Sequence, residues 1–469
     1  MWFSLKAKMH KSIPERSQDA RLGFACCALL TVVGSLSAWV GSAEAGSFKA
    51  GLANIDISTR LQLPMGGYGT FFLKTPRLNG AGIHDPLYAG ALVVESSLGE
   101  VAALVSVDAV GLSGAQVSRI EAKVREIVDP KIHLIVAATH THHSPDTLGL
   151  WGSLPRSGRN SRYSEQLETA IIQAVRDAYA IRTEAKVTQK TGRHANDSTN
   201  SASTEDIQDQ FVSLSFHAEN DGRLLGTLTQ WAAHPTVLGM ENNALSADFI
   251  GAFRESMYRT EPATHLYFSG AIGKVYPLIP GAHDADLIDD LFPNGDRDID
   301  VKDSYQRVST VGHRLAEAVR NAPLKSLKFL QEPMMGMCHV PVLFPVDNSL
   351  FKLASNLRVV ETRIKNKHIR SRISSLTLGD ISFVSIPGEA FPKLLSKLSA
   401  DRLAGRQPIW LGMGQDWLGY FVDEADYQNP KLKYWTDLSV HKDASKILLD
   451  GIGNALAAKE CAEWTDEEE

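Results

Sequence analysis

The stretch "ATHTHHSP", Ala138–Pro145, places three imidazoles within four positions, directly after the apolar run "HLIVA". Imidazole ligates divalent metals and moves protons near neutral pH, so His140, His142 and His143 are candidates for either chemistry. Other polar residues share the same address, the end of an apolar run: Asp108 after "ALVSV", His234 after "GTLTQWAA" and Glu389 after "ISFVSIPG". In α/β folds loops gather at the carboxyl ends of strands, so residues distant in sequence converge there. Two imidazoles and a carboxylate make an open zinc site whose last position is left for water. Each residue also has a plainer reading by itself. A His beside Pro, as in "AHP", serves as a structural histidine, Glu389 suits a helix N-terminus, and Asp108 suits a turn cap. The acidic run "HDADLIDDLFPNGDRDIDVKD" alternates Asp296, Asp298 and Asp300. It lacks the glycine and terminal Glu of a calcium loop and reads as solvated surface.

The elements that must position these residues follow from periodicity. Apolar, β-branched runs alternate with amphipathic stretches: "VAALVSVDAVGL", then "GAQVSRIEAKVREIV", "KIHLIVAATH" and "YSEQLETAIIQAVRDAYA". Strands are predicted again at "QFVSLSFHA" and "LLGTLTQWAAHP", and a helix at "SYQRVSTVGHRLAEAVRNA". The last third repeats the scheme with "DISFVSIPGEAF", "FPKLLSKLSADRLA", "PIWLGMG" and "DASKILLDGIGNALAAKE". That alternation predicts an α/β fold.

At 469 residues and 43% hydrophobic, the chain has ample material for a core. Residues 1–45 read separately. Five basic residues flank the uncharged run "LGFACCALLTVVGSLSAWV", and "SAEA" offers a small-residue cleavage site, which together predict a signal peptide and an exported protein, periplasmic or secreted. The alternative is an uncleaved anchor through residues 22–40, a run close to the roughly 20 residues a membrane helix needs. Removing residues 1–45 takes the net charge from −6 to −8, which gives no basic footprint for nucleic acid. Cys338 and Cys461 are the cysteines of the body, enough for one disulfide but not for a framework.

The motifs "GLANIDIS", "MGGYG" from Met65, "GIHDPLYAGALVV" from Gly82, "THTHHSP", "AAHP", "IPGEAF" and "WLGYFVDEADY" occur in an order that resembles the neutral, non-lysosomal ceramidases. The resemblance spans nearly the whole body. It implies a mixed-sheet, metallohydrolase-like α/β catalytic domain over residues 46–459, followed by an acidic tail at 460–469, without the C-terminal β-sandwich of larger members. It further implies one Zn2+ per chain held by His140, His234, Glu389 and Tyr420. His142 becomes the proton shuttle, and His143, standing where the family has Ser, an extra. The implied reaction is hydrolysis of an N-acyl bond in ceramide or a ceramide-like lipid, which would bring the protein to a membrane surface through its substrate.

Three departures bear on the substrate. Where the family carries Gly-Asp-Val-Ser-Pro, this chain has "GKVYP", with Lys274 in place of the acid and Tyr276 in place of the serine. Tyr276 is then the candidate donor to an oxyanion. The family's substrate-positioning arginine has no counterpart in "ANDSTNSASTED", where Ser201 is the nearest match. The third is the missing sandwich. Other acyl amides or esters, and a non-catalytic binding protein that retains the fold, remain the alternatives.

Overall fold

The computed structural model describes residues 48–457 apart from 70, 72–74, 195–198, 201–207, 278–300, 327–334 and 404. The expected signal segment, the acidic tail, Ser201, Cys461 and the run around Asp296, Asp298 and Asp300 lie outside the described residues, as do Cys26 and Cys27. The described residues all fall in one compact unit, Ala43–Glu469.

In chain order the first part runs β1 (Phe48–Asp56), β2 (Tyr88–Glu95), β3 (Val101–Val107), α1 (Gly114–Ile127), β4 (His133–Ala138) and α2 (Ser161–Ala180). It continues with β5 (Thr183–Arg193), β6 (Thr199–Asn200), β7 (Gln210–Ala218), β8 (Leu224–Trp231), α3 (Phe249–Thr260), β9 (Thr264–Ser269), β10 (Val275–Tyr276), α4 (Val301–Asn321) and β11 (Leu324–Ser326). The last part holds β12 (Met335–Pro345), α5 (Ser349–Asn356), β13 (His368–Leu378), β14 (Ile381–Ser385) and β15 (Glu389–Ala390). It closes with α6 (Pro392–Leu395), β16 (Pro408–Leu411), β17 (Tyr420–Phe421), α7 (Lys433–Asp437) and α8 (Ala444–Ala457).

A nine-stranded sheet has the order β4-β3-β2-β1-β5-β7-β8-β9, with β11 added beside β5. It is mixed. The β3/β4 and β8/β9 pairs at its two flanks are parallel, and the pairs between them antiparallel. Strands β3 and β4 read as almost unbroken apolar runs because both faces are covered. Leu167, Ile171 and Val175 of α2, with Val117 and Ile120 of α1, belong to the core on one face, and Leu52, Leu92, Ile135 and Phe268 to the core on the other. The flanks meet: Ser106 on β3 donates its hydroxyl to the Tyr267 carbonyl on β9, and Ser269 Oγ donates to the Thr139 carbonyl at 2.7 Å. A second sheet, β12-β13-β14-β16, joins the second core through Leu376, Phe383 and Ile409.

Two helix starts carry their caps in sequence: Ser113 accepts from Gln116 N on α1, and Asn160 accepts from Tyr163 N on α2. The expected element "FPKLLSKLSADRLA" is shorter than its pattern suggests. Only α6 is α-helical, and the hydroxyls of Ser396 and Ser399 bond the backbone at Lys393 and Arg402 instead, which favours turns over helix continuation. Cys338 on β12 is disulfide-bonded. Among the described residues no helix is long and apolar enough to cross a membrane.

Candidate metal centre

His140 leaves β4 in a left-handed conformation at φ 69°, a strain of about 1–3 kcal/mol for a residue with a Cβ. The backbone is held there by His140 N donating to the Ala109 carbonyl at 2.9 Å and Thr139 N to the Val107 carbonyl at 2.8 Å. The ring is fixed as well. Nδ1–H donates to the Val110 carbonyl at 2.5 Å, which leaves Nε2 as a lone pair. His234, just past β8, is oriented in the same way: Nδ1–H donates to the Val275 carbonyl at 2.9 Å.

Both lone pairs face one carboxylate. Glu389 Oε2 lies 3.0 Å from His234 Nε2 and 3.3 Å from His140 Nε2, and all three side chains are buried. The ligand-capable atoms of His140, His234 and Glu389 lie within 4.8 Å of one another. Three acceptors turned toward a common point repel unless a cation sits among them. Histidines committed through Nδ1–H to carbonyls are the usual support for ligation through Nε2. The N,N,O donor set fits a zinc-type divalent ion with a position left open.

The other Glu389 oxygen accepts from Trp417 Nε1 at 3.0 Å. Tyr420 lies directly across the β15/β17 pairing from Glu389. Burial, with the Glu389 charge, pushes the Tyr420 phenol well up.

His142 Nε2 lies 3.2 Å from His140 Nε2, while its Nδ1 has no hydrogen-bond partner among the described residues. The ring is located by packing instead. Tyr68 meets it edge-on at 4.7 Å, and a Cβ added at Gly67 would come within 2.2 Å of it. Burial, then the neighbouring His140 and His234, push His142 well below the ordinary imidazole value. Tyr276 stacks on His234 at 4.8 Å, and burial and the Glu389 charge push its phenol up.

The structure therefore brings His140, His234, Glu389, Tyr420, His142 and Tyr276 to one place. His143 and Asp108 stand apart from the ligand cluster. His143 Nε2 faces the Gly239 carbonyl at 3.0 Å, and Asp108 accepts from Tyr88 N, Thr139 Oγ1 and both terminal nitrogens of Arg254. Lys274, at φ 65°, places its ammonium 5.2 Å over the Phe391 ring. Two supports were missed in the sequence. Trp417 sits inside a motif that was noted, whereas Arg77, which donates to the His142, Met240 and Asn242 carbonyls, has no spacing signal at all.

Fold and centre together define a mixed α/β protein with a buried cluster of two histidines and one carboxylate able to hold a metal ion. No family model matches the chain. The neutral ceramidase of Drosophila melanogaster is 23% identical over 313 residues, 58% of this chain and 43% of that protein. The crystal structure of neutral ceramidase from Pseudomonas aeruginosa superposes with a TM-score of 0.67 at 16% identity, covering 90% of this chain and 77% of that one. A ceramidase complexed with C2 gives 0.68 at 15% identity with the same coverage. The chain is similar to neutral ceramidases over part of its sequence and shares their fold. It spans less than half the length of the curated relative it matches.

Proposed function

We propose that the protein is a zinc-dependent amidohydrolase that cleaves the N-acyl bond of ceramide or a ceramide-like lipid outside the cytoplasm. The observation that carries this reading is the convergence of two Nε2 lone pairs, locked by the Val110 and Val275 carbonyls, on the Glu389 carboxylate. The names of the relatives supply the substrate class.

His140, His234 and Glu389, with Tyr420 beside them, would hold one zinc, which would supply the Lewis acidity that acidifies a water and polarises an acyl carbonyl. His142 then takes the proton of the attacking water at its imidazole and returns it to the amide nitrogen as the C–N bond breaks, so that a free acid and an amine leave. Tyr276 donates its hydroxyl to the oxyanion that develops on the acyl oxygen. Trp417 keeps Glu389 in register from behind. Burial of these side chains keeps bulk water from competing for the proton.

A second reading, hydrolysis of other acyl amides or of esters, is favoured by Tyr276. Its ring lies flat against His234, where a serine would leave open space. The deciding experiment measures zinc content and acyl release from a short-chain fluorescent ceramide, for wild type and for His234→Ala. About one zinc per chain, lost in the variant together with turnover, supports the proposal. Zinc without ceramide cleavage moves the search to matched amide and ester panels. Absence of zinc and of turnover on every panel leaves a binding protein.

A further inference from the structure

The connection between β12 and β13 carries a charge pattern that the reaction does not use. Residues 348–370 hold six Lys and Arg against one acid, Glu361, in a chain whose net charge is −6. Glu361 is already engaged by Arg119 at 3.1 Å and by Arg159. Arg363, Lys365, Lys367 and Arg370 are all exposed. A groove of about 850 Å³ opens here, lined by Ser118, Leu343, Arg363, Lys365, His368 and Arg370. Leu343, opposite Arg370 in the β12/β13 register, is 60% exposed, and Leu353 and Leu357 on the same connection are 40% and 43% exposed.

We infer that this groove and its rim are a docking surface for a bilayer containing anionic phospholipid. Cations recognise the phosphodiester layer, each contributing on the order of 1 kcal/mol near an anionic surface. A soluble anion would use the cations but has no use for exposed leucines. A bilayer offers acyl chains beneath its charge and satisfies both. The surface is linked to the centre through the chain itself: Asp416 lines the groove, and the next residue, Trp417, holds Glu389. The inference rests on the proposed lipid substrate for its biological sense, but binding is measurable without turnover.

The test is flotation of the full chain with phosphatidylcholine vesicles, with and without phosphatidylglycerol, at low and high salt. Wild type is expected to float only with the anionic vesicles and to be released by salt. The triple variant Arg363→Glu, Lys365→Glu, Lys367→Glu is expected to bind at least roughly tenfold less. Leu343→Ser should weaken flotation with the anionic vesicles at low salt. Hydrolysis of a soluble short-acyl substrate should stay within about twofold of wild type in both variants, since none of these residues touches the centre; that readout also reports folding. Equal binding of wild type to both vesicle types, or unchanged binding of the triple variant, overturns the surface. Charge-dependent binding by a protein that hydrolyses no acyl amide would uphold the surface and overturn the proposed reaction.

Discussion

At the scale of single residues, the two imidazoles at one strand end have different surroundings, and these predict different phenotypes. His140 has one nitrogen tied to a carbonyl and the other aimed at Glu389, whereas the His142 ring has its Nε2 3.2 Å from that of His140 and is otherwise held by packing. His140→Ala is therefore expected to lose zinc, and His142→Ala to keep it while turnover falls about 10²–10⁴-fold. Elemental analysis beside a rate assay reads both, and equal metal loss in the two variants would sink the division of labour. Trp417→Phe keeps the ring packed against Phe71 and Phe351 but removes the donor to Glu389. Its zinc affinity should drop about 10–100-fold in a chelator competition, as losses behind a ligand commonly do. The positions of His140, His234 and Glu389 were legible because each follows an apolar run. Tyr420 and Tyr276 came through family resemblance, because a tyrosine beside a strand carries no ligand signature of its own.

At the scale of elements, the "MGGYG" loop acts on the centre through shape. Gly67 sits at φ 103° with the His142 ring where a Cβ would go, so Gly67→Ala should displace that ring. Zinc content should be retained and kcat should fall by tenfold or more, a split that single-turnover rates and metal analysis together would show. Unchanged kcat would mean that the ring position is not critical. Strand and helix placement was readable wherever burial imposes a local period, as in β3, β4, α1 and α2. It failed just past Leu395, where serine side chains compete for the backbone.

At the scale of the whole molecule, burial of carboxyl groups sets a pH dependence. Burial raises Asp85 from 3.8 to about 7, and Asp146, Asp248 and Asp416 to about 6. A carboxyl whose folded value lies above its unfolded value binds protons more tightly in the folded state, so stability falls as pH rises from about 4 through 7. With zinc chelated away, the urea midpoint should be lower at pH 7.5 than at 5.5. Asp85→Asn, which keeps an acceptor for Ala247 N and a partner for Ser246, should remove about 1–2 kcal/mol of that decline. A variant with the same pH slope as wild type would show that Asp85 ionises freely in the folded protein.

What the sequence determined by itself was local: which runs are strands and helices, and which of those runs end in a residue able to bind metal. Burial patterns and turn chemistry act within a few residues, so they are written along the chain. Tertiary structure decided the rest. His140 and His234 follow strands at opposite flanks of one sheet, and they meet only because that sheet curls until β3 and β9 touch. The ring orientations depend on the carbonyls of Val110 and Val275. Every residue carries a carbonyl, so only the fold can single out the two that turn these histidines toward Glu389.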